Sequence, residues 1–111
     1  MSRSEIEILE RGQAWVAQGE RVVLATVAHT WGSSPRPAGA VMVLSESGRF
    51  AGSVSGGCIE EELLSREPFT LQPQRWSGEI RNWGQQGISF ATQPGAVSIS
   101  ARCFARKPLA E

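Results

Sequence analysis

The chain opens on apolar positions that recur at helical spacing. Ser4 followed by Glu7 fits a capping box, and Ile8, Leu9, Gly12, Trp15 and Val16 then share one helical face. Gly19 is suited to stop such a helix. The spacing predicts a helix over about 5–18 that serves packing, with Gly12 letting another backbone come close. The period then changes. Val22-Val23-Leu24-Ala25-Thr26-Val27-Ala28 is a continuous apolar, β-branched run, the pattern of a strand buried on both faces. A second strand is expected at 40–44 and a third at 50–54, joined by Ser45-Glu46-Ser47-Gly48-Arg49, a loop with hairpin length and chemistry. A short second helix is expected at 59–64, ending before Pro68.

The last third is less regular. Residues 69–80 carry Pro73 and Gly78 and fit one irregular edge strand. Ile88-Ser89-Phe90 and 97–104 alternate, with Pro94-Gly95 placed for the turn between them. On the final strand Val97, Ile99, Ala101 and Cys103 share one face, while Ser98, Ser100 and Arg102 share the other. The expected fold is α+β: a mixed or antiparallel sheet of about five short strands with two helices. No repeat or linker divides 1–111, so a single domain is expected.

Composition narrows the function classes. Eleven Lys and Arg balance eleven Asp and Glu, so no global field draws the chain to nucleic acid or to an anionic membrane. No apolar run approaches the roughly 20 residues of a membrane span, and the N-terminus turns acidic at Glu5 and Glu7 where a signal peptide turns apolar. A cytoplasmic location is the expectation. Two cysteines and one histidine are too few and too scattered for a disulfide scaffold or a structural zinc site. A free strand edge and exposed tryptophan in so small a domain lead us to expect a homodimer.

Two segments carry more chemistry than connectors need. One is Thr30-Trp31-Gly32-Ser33-Ser34-Pro35-Arg36-Pro37-Ala38-Gly39; the other is Gly52-Ser53-Val54-Ser55-Gly56-Gly57-Cys58. If the strands around Gly48 form a hairpin, the first segment enters and the second leaves at the same sheet edge. Ser55 as N-cap places Cys58 in the first turn of a helix, where backbone N–H groups face an anion and a thiolate is favoured. Glu60, Glu61 and Glu62 oppose that effect in part. Pro35 and Pro37 stiffen the chain around Arg36, whose guanidinium suits phosphate or carboxylate. The serines add hydroxyl donors, so the pair would form an anion pocket with one reactive sulfur. The plainer reading stands beside it: Gly56-Gly57 as a tight turn, Cys58 as a small packing residue and Arg36 in an ordinary ion pair. For Cys103, on the apolar face of its strand, the packing reading wins. His29 is read as a structural histidine.

At these segments the sequence resembles the XdhC/CoxI family. Ala25-Thr26-Val27 followed by 32–39 resembles the family's opening motif, and Gly52-Ser53-Val54-Ser55-Gly56-Gly57-Cys58-Ile59-Glu60 resembles its second, in order and at a matching interval. The similarity is strong over 8–64 and weak over 69–111. Where the family has a Cys-Gly-Gly segment near the last strand, this chain has Pro94-Gly95-Ala96-Val97. A second, dinucleotide-type domain found in many members is not expected, because no G-x-G-x-x-G occurs.

The resemblance implies a chaperone that binds the molybdenum cofactor as transient cargo, protects it during sulfuration and inserts it into an apo molybdenum hydroxylase of the xanthine dehydrogenase or CO dehydrogenase type. A cysteine desulfurase would be the other partner. By motif match Cys58 contacts the molybdenum or its sulfur. Arg36, Ser33, Ser34, Gly39, Ser55, Gly56 and Gly57 form the cofactor-binding loops, and their hold on the pterin phosphate is a physical inference. The protein is expected to act stoichiometrically, not as an enzyme. Two other readings remain open: Cys58 as a persulfide that transfers sulfur, and an interaction module that holds no cofactor.

Overall fold

The computed structural model describes residues 3–30, 39–54, 58–71, 73–75, 88–91 and 97–106. Helix α1, Arg3–Ala17, buries Gly12, Trp15 and Val16, with Ile8 and Leu9 packed beside them. This is the face that the spacing marks. Gly19, at φ 97, ends the helix: its N–H donates to the Val16 carbonyl, and the Glu20 N–H donates to the Trp15 carbonyl. That paired closure is the Schellman arrangement, which needs a left-handed residue after the last turn.

Six described strands follow: β1 (Val22–Thr30), β2 (Val41–Ser45), β3 (Phe50–Gly52), β4 (Gln74–Arg75), β5 (Ile88–Ala91) and β6 (Val97–Ala105). They form one sheet in the order β3-β2-β1-β6-β4, with β5 also on β6. Among the described pairings only β4–β6 is parallel, so the sheet is mixed. Helix α2, Cys58–Ser65, and a single 3-10 turn, Pro68–Thr70, complete the α+β fold. No helix among the described residues is long and apolar enough to cross a membrane.

The apolar run at β1 is the centre of the sheet, and Val22, Val23, Leu24 and Ala25 are inaccessible to solvent. Alternation sends its side chains to two separate cores. Val22 and Leu24 join Val41, Val43 and Phe104 beneath α1. Val23, Ala25 and Val27 join Met42, Leu44, Ile99, Ala101 and Cys103, which Leu63 of α2 also reaches. The register sets these partners, with Val23 opposite Cys103 and Leu24 opposite Arg102. A bulge between Val27 and His29 interrupts the β1–β6 ladder.

Two features differ from a simple reading of the alternation. Arg102 lies on the polar side of β6, yet it is 3% exposed because that side faces the α1 layer and not water. Desolvation lowers its pKa from the ordinary arginine value. Strand β3 ends at Gly52, short of the expected 54, because a positive φ turns the chain there.

One end of the sheet is tied down by polar contacts. The Arg49 guanidinium pairs with the Glu20 carboxylate, donates to Gln18 Oε1 at 3.1 Å, and lies 5.1 Å from the centre of the Trp15 ring. The Arg21 and Ser47 N–H groups donate to the Glu46 and Glu20 carboxylates at 3.0 and 3.3 Å. The Arg21 side chain reaches the Phe69 carbonyl at 2.8 Å. These contacts join the α1–β1 turn, the β2–β3 turn and the segment after α2.

Candidate functional site

The opposite end of the sheet is where the two motif segments attach. Met42 is paired with Gly52, so the chain enters β2 through Gly39 and Ala40 beside the point where it leaves β3 through Ser53 and Val54. Thr30 is paired with Val97 and Ala91 with Ser98, which brings the end of β1, the end of β5 and the start of β6 to the same place. Segments 31–38, 55–57 and 92–96 therefore all join the described chain at one end of one sheet.

The base of the first segment is closed by backbone bonds. The Val27 N–H donates to the Ala40 carbonyl at 2.9 Å, and the Gly39 N–H donates to the Val27 carbonyl at 2.8 Å. The Thr26 hydroxyl also donates to the Ala40 carbonyl, at 3.1 Å. Past this closure, among the described strands, β1 pairs with β6 alone. Gly39 itself is exposed, at φ 92, with open space where a Cβ would stand. A side chain would fit there sterically but would strain the backbone that aims the loop.

The second segment is anchored more tightly. A Cβ on Gly52 would stand 2.4 Å from the Val41 carbonyl oxygen and 2.9 Å from Ile8 Cδ1, and φ is 83. Val54 is fully buried in the core that also holds Leu63. Gly52 and Val54 thus fix the way in, and Leu63 fixes the helix that follows. Cys58 is the first residue of that helix, with Glu60 and Glu61 in its first turn. Those carboxylates suit the positive helix end themselves and offset part of its field.

Of the residues expected to bind cofactor, Gly39 and Cys58 have a described backbone position. Arg36, Ser33, Ser34, Ser55, Gly56 and Gly57 lie outside the described residues. Their meeting with Cys58 is an expectation drawn from where the flanking residues stand. Cys103 is fully buried. Burial raises its pKa, a nearby Arg21 charge lowers it, and Glu46 raises it again. The net upward shift keeps it a thiol, in line with a packing role. Among the described residues no group of three His, Cys, Asp or Glu side chains is placed to hold a metal ion. Sequence reasoning missed the part of Thr26, whose hydroxyl closes the loop base, and the steric demand on Gly52. Neither signal is in the spacing, since both depend on a neighbouring strand.

Comparison with known proteins gives the same answer as the motifs. The chain is 47% identical over 47 residues to a probable xanthine dehydrogenase subunit of Bacillus subtilis, covering 42% of this chain and 14% of that protein. It is 50% identical over 42 residues to the molybdenum cofactor insertion chaperone PaoD of Escherichia coli, covering 38% of this chain and 13% of that one. A crystal structure of a xanthine dehydrogenase from Bacillus halodurans superposes with a TM-score of 0.54 at 25% identity, over 93% of this chain and 30% of its own. The matched region is thus a small part of each relative. Residues 15–68, from the buried tryptophan of α1 to the proline after α2, match the model of the XdhC and CoxI family.

Proposed function

We propose that the chain is a molybdenum cofactor insertion chaperone domain for molybdenum hydroxylases, working stoichiometrically in the cytoplasm. What supports this is that the described residues beside the two motif segments, Gly39, Ala40, Gly52 and Val54, lie at one sheet end, and that Cys58 is the first residue of α2, which follows the second segment. The likeness to PaoD supports the cargo, and the likeness to xanthine dehydrogenase proteins supports the client class. In this reading Arg36, Ser33, Ser34, Gly39, Ser55, Gly56 and Gly57 hold the pterin phosphate, through charge-assisted bonds and backbone N–H groups at a helix start. Cys58 supplies a soft ligand to the molybdenum or its sulfur. The cofactor is held while a cysteine desulfurase delivers sulfur, then passed to the apo-hydroxylase. Affinity stays moderate, because the cargo has to be released.

Anaerobic titration with molybdenum cofactor tests this. Wild type and Cys103→Ala should retain cofactor, whereas Cys58→Ala and Arg36→Ala should lose it. Retention by all four overturns the site. A persulfide on Cys58 after desulfurase treatment favours sulfur transfer instead. A lack of binding in every form favours a cofactor-free docking module.

A further inference from the structure

Strand β3 is the edge of the sheet among the described strands, and its outer side has the features of a self-pairing site. In an antiparallel ladder, residues alternate between facing one neighbour strand and the other. The Ser45 N–H donates to the Arg49 carbonyl at 2.7 Å, and Ala51 is paired with Val43. Ala51 therefore turns its N–H and carbonyl toward β2, and Phe50 and Gly52 turn theirs outward. Phe50 is 65% exposed, the largest exposure among the described large apolar residues. It borders an apolar groove of about 450 Å³ shared with Met42, Leu44, Leu64 and Phe69. On the other face of β3, Glu7 and Arg11 of α1 line a second groove with Ala51 and Gly52.

We infer that β3 pairs with β3 of a second copy of this chain, antiparallel about a two-fold axis at Ala51. That register sets Phe50 of each copy opposite Gly52 of the other, so the two residues with outward backbone groups exchange hydrogen bonds. It also lays an exposed aromatic ring across a glycine that has no side chain of its own, an arrangement known to rescue glycine in strands. Charge follows the same symmetry. Ile8 lies against Gly52, and Trp15 lies against Arg49 in the turn before Phe50, so α1 runs opposite to β3. Glu7 then stands near Gly52 and Arg11 nearer Phe50. The two-fold brings Glu7 of one copy toward Arg11 of the other, as an isologous interface requires. This interface covers the edge that β3 forms among the described strands, and exposed edges are a standard liability of sheet proteins. It is independent of the cofactor reading, because neither Cys58 nor Arg36 takes part.

Sedimentation equilibrium of the 111-residue chain tests it, with thermal melts showing that each variant is folded. Wild type should run at twice the chain mass. Phe50→Lys and Phe50→Pro should run as monomers that still melt cooperatively, at a somewhat lower temperature because the stabilising association is lost; the proline removes only an outward N–H. Glu7→Lys should weaken the dimer by about tenfold, and adding Arg11→Glu should restore it. A monomeric wild type at high concentration overturns the inference, as does a dimer that survives both Phe50 variants. Failure of the double charge reversal to restore association overturns the two-fold register.

Discussion

Gly52→Ala separates backbone strain from steric exclusion at the junction between β3 and the second motif. Two costs are built into the site. At φ 83 any other residue occupies a left-handed conformation, which costs about 1–2 kcal/mol. The new Cβ also meets the Val41 carbonyl oxygen at 2.4 Å. That partner is backbone in a paired strand, so it cannot swing aside like the end of a side chain. Forcing β2 and β3 apart falls in the range of core overpacking, about 1–3 kcal/mol. Together the change should cost about 2–5 kcal/mol, a large share of the roughly 5–15 kcal/mol that holds a domain folded. For a chain of this size the melting temperature should fall by roughly 10–25 °C. Gly48→Ala is the control. Gly48 has φ 98 but open space at the Cβ, so it should show the strain alone, about 1–2 kcal/mol. Calorimetry of the two variants gives the difference directly. Equal melting temperatures would refute the close approach as a constraint, leaving Gly52 a glycine for conformational reasons only.

Three further outcomes follow from the packing. Leu63→Ala should cost about 2–5 kcal/mol in urea unfolding and should increase amide exchange along α2, because Leu63 is fully buried in the core that anchors this helix. Cys103 should resist alkylation in the native chain and react in denaturant. Its folded pKa lies above the unfolded 9.0, so the unfolded state loses its proton first and stability should fall as pH rises past 9.0; Cys103→Ala should lose that component of the slope. Arg49→Met should cost about 1–2 kcal/mol through the lost Glu20 pair and the Trp15 contact, and the loss should shrink at high salt because both charges are partly exposed.

Much of the fold is legible in the sequence because two periods state it. The face Ile8, Leu9, Gly12, Trp15, Val16 is the packed face of α1, and the unbroken run at Val22 is the central strand. Gly19 ends α1 with the expected left-handed turn. What periodicity does not carry is the identity of neighbours. The parallel pairing of β4 with β6, the burial of Arg102 and the contact of Gly52 with Val41 are decided by residues far away in sequence. The candidate site is legible in another way. Two local motifs named it, and their flanking residues Gly39, Gly52 and Cys58 have described positions, whereas Arg36 and the serine and glycine partners fall outside the described residues.

The division of the sheet into two unlike ends bears on the proposed holding and release of cargo. At one end Arg49, Glu20, Gln18, Trp15, Arg21 and Glu46 tie three turns together through charge and hydrogen bonds. At the other, the loop bases are closed by Val27, Gly39 and Ala40 and by the buried Val54, and the segments bearing the motifs extend beyond those closures. Binding residues on loops can rearrange at small cost only if the scaffold beneath them does not depend on their contacts. Among the described residues, the apolar cores on both faces are built from β1, β2, β6, α1 and Leu63. The proposed cofactor site, with Arg36 outside the described residues, predicts that stability and cargo handling rest on different residues. A substitution at the tied end should lower the melting temperature while leaving the intrinsic affinity for cofactor unchanged, and one at Arg36 should do the reverse.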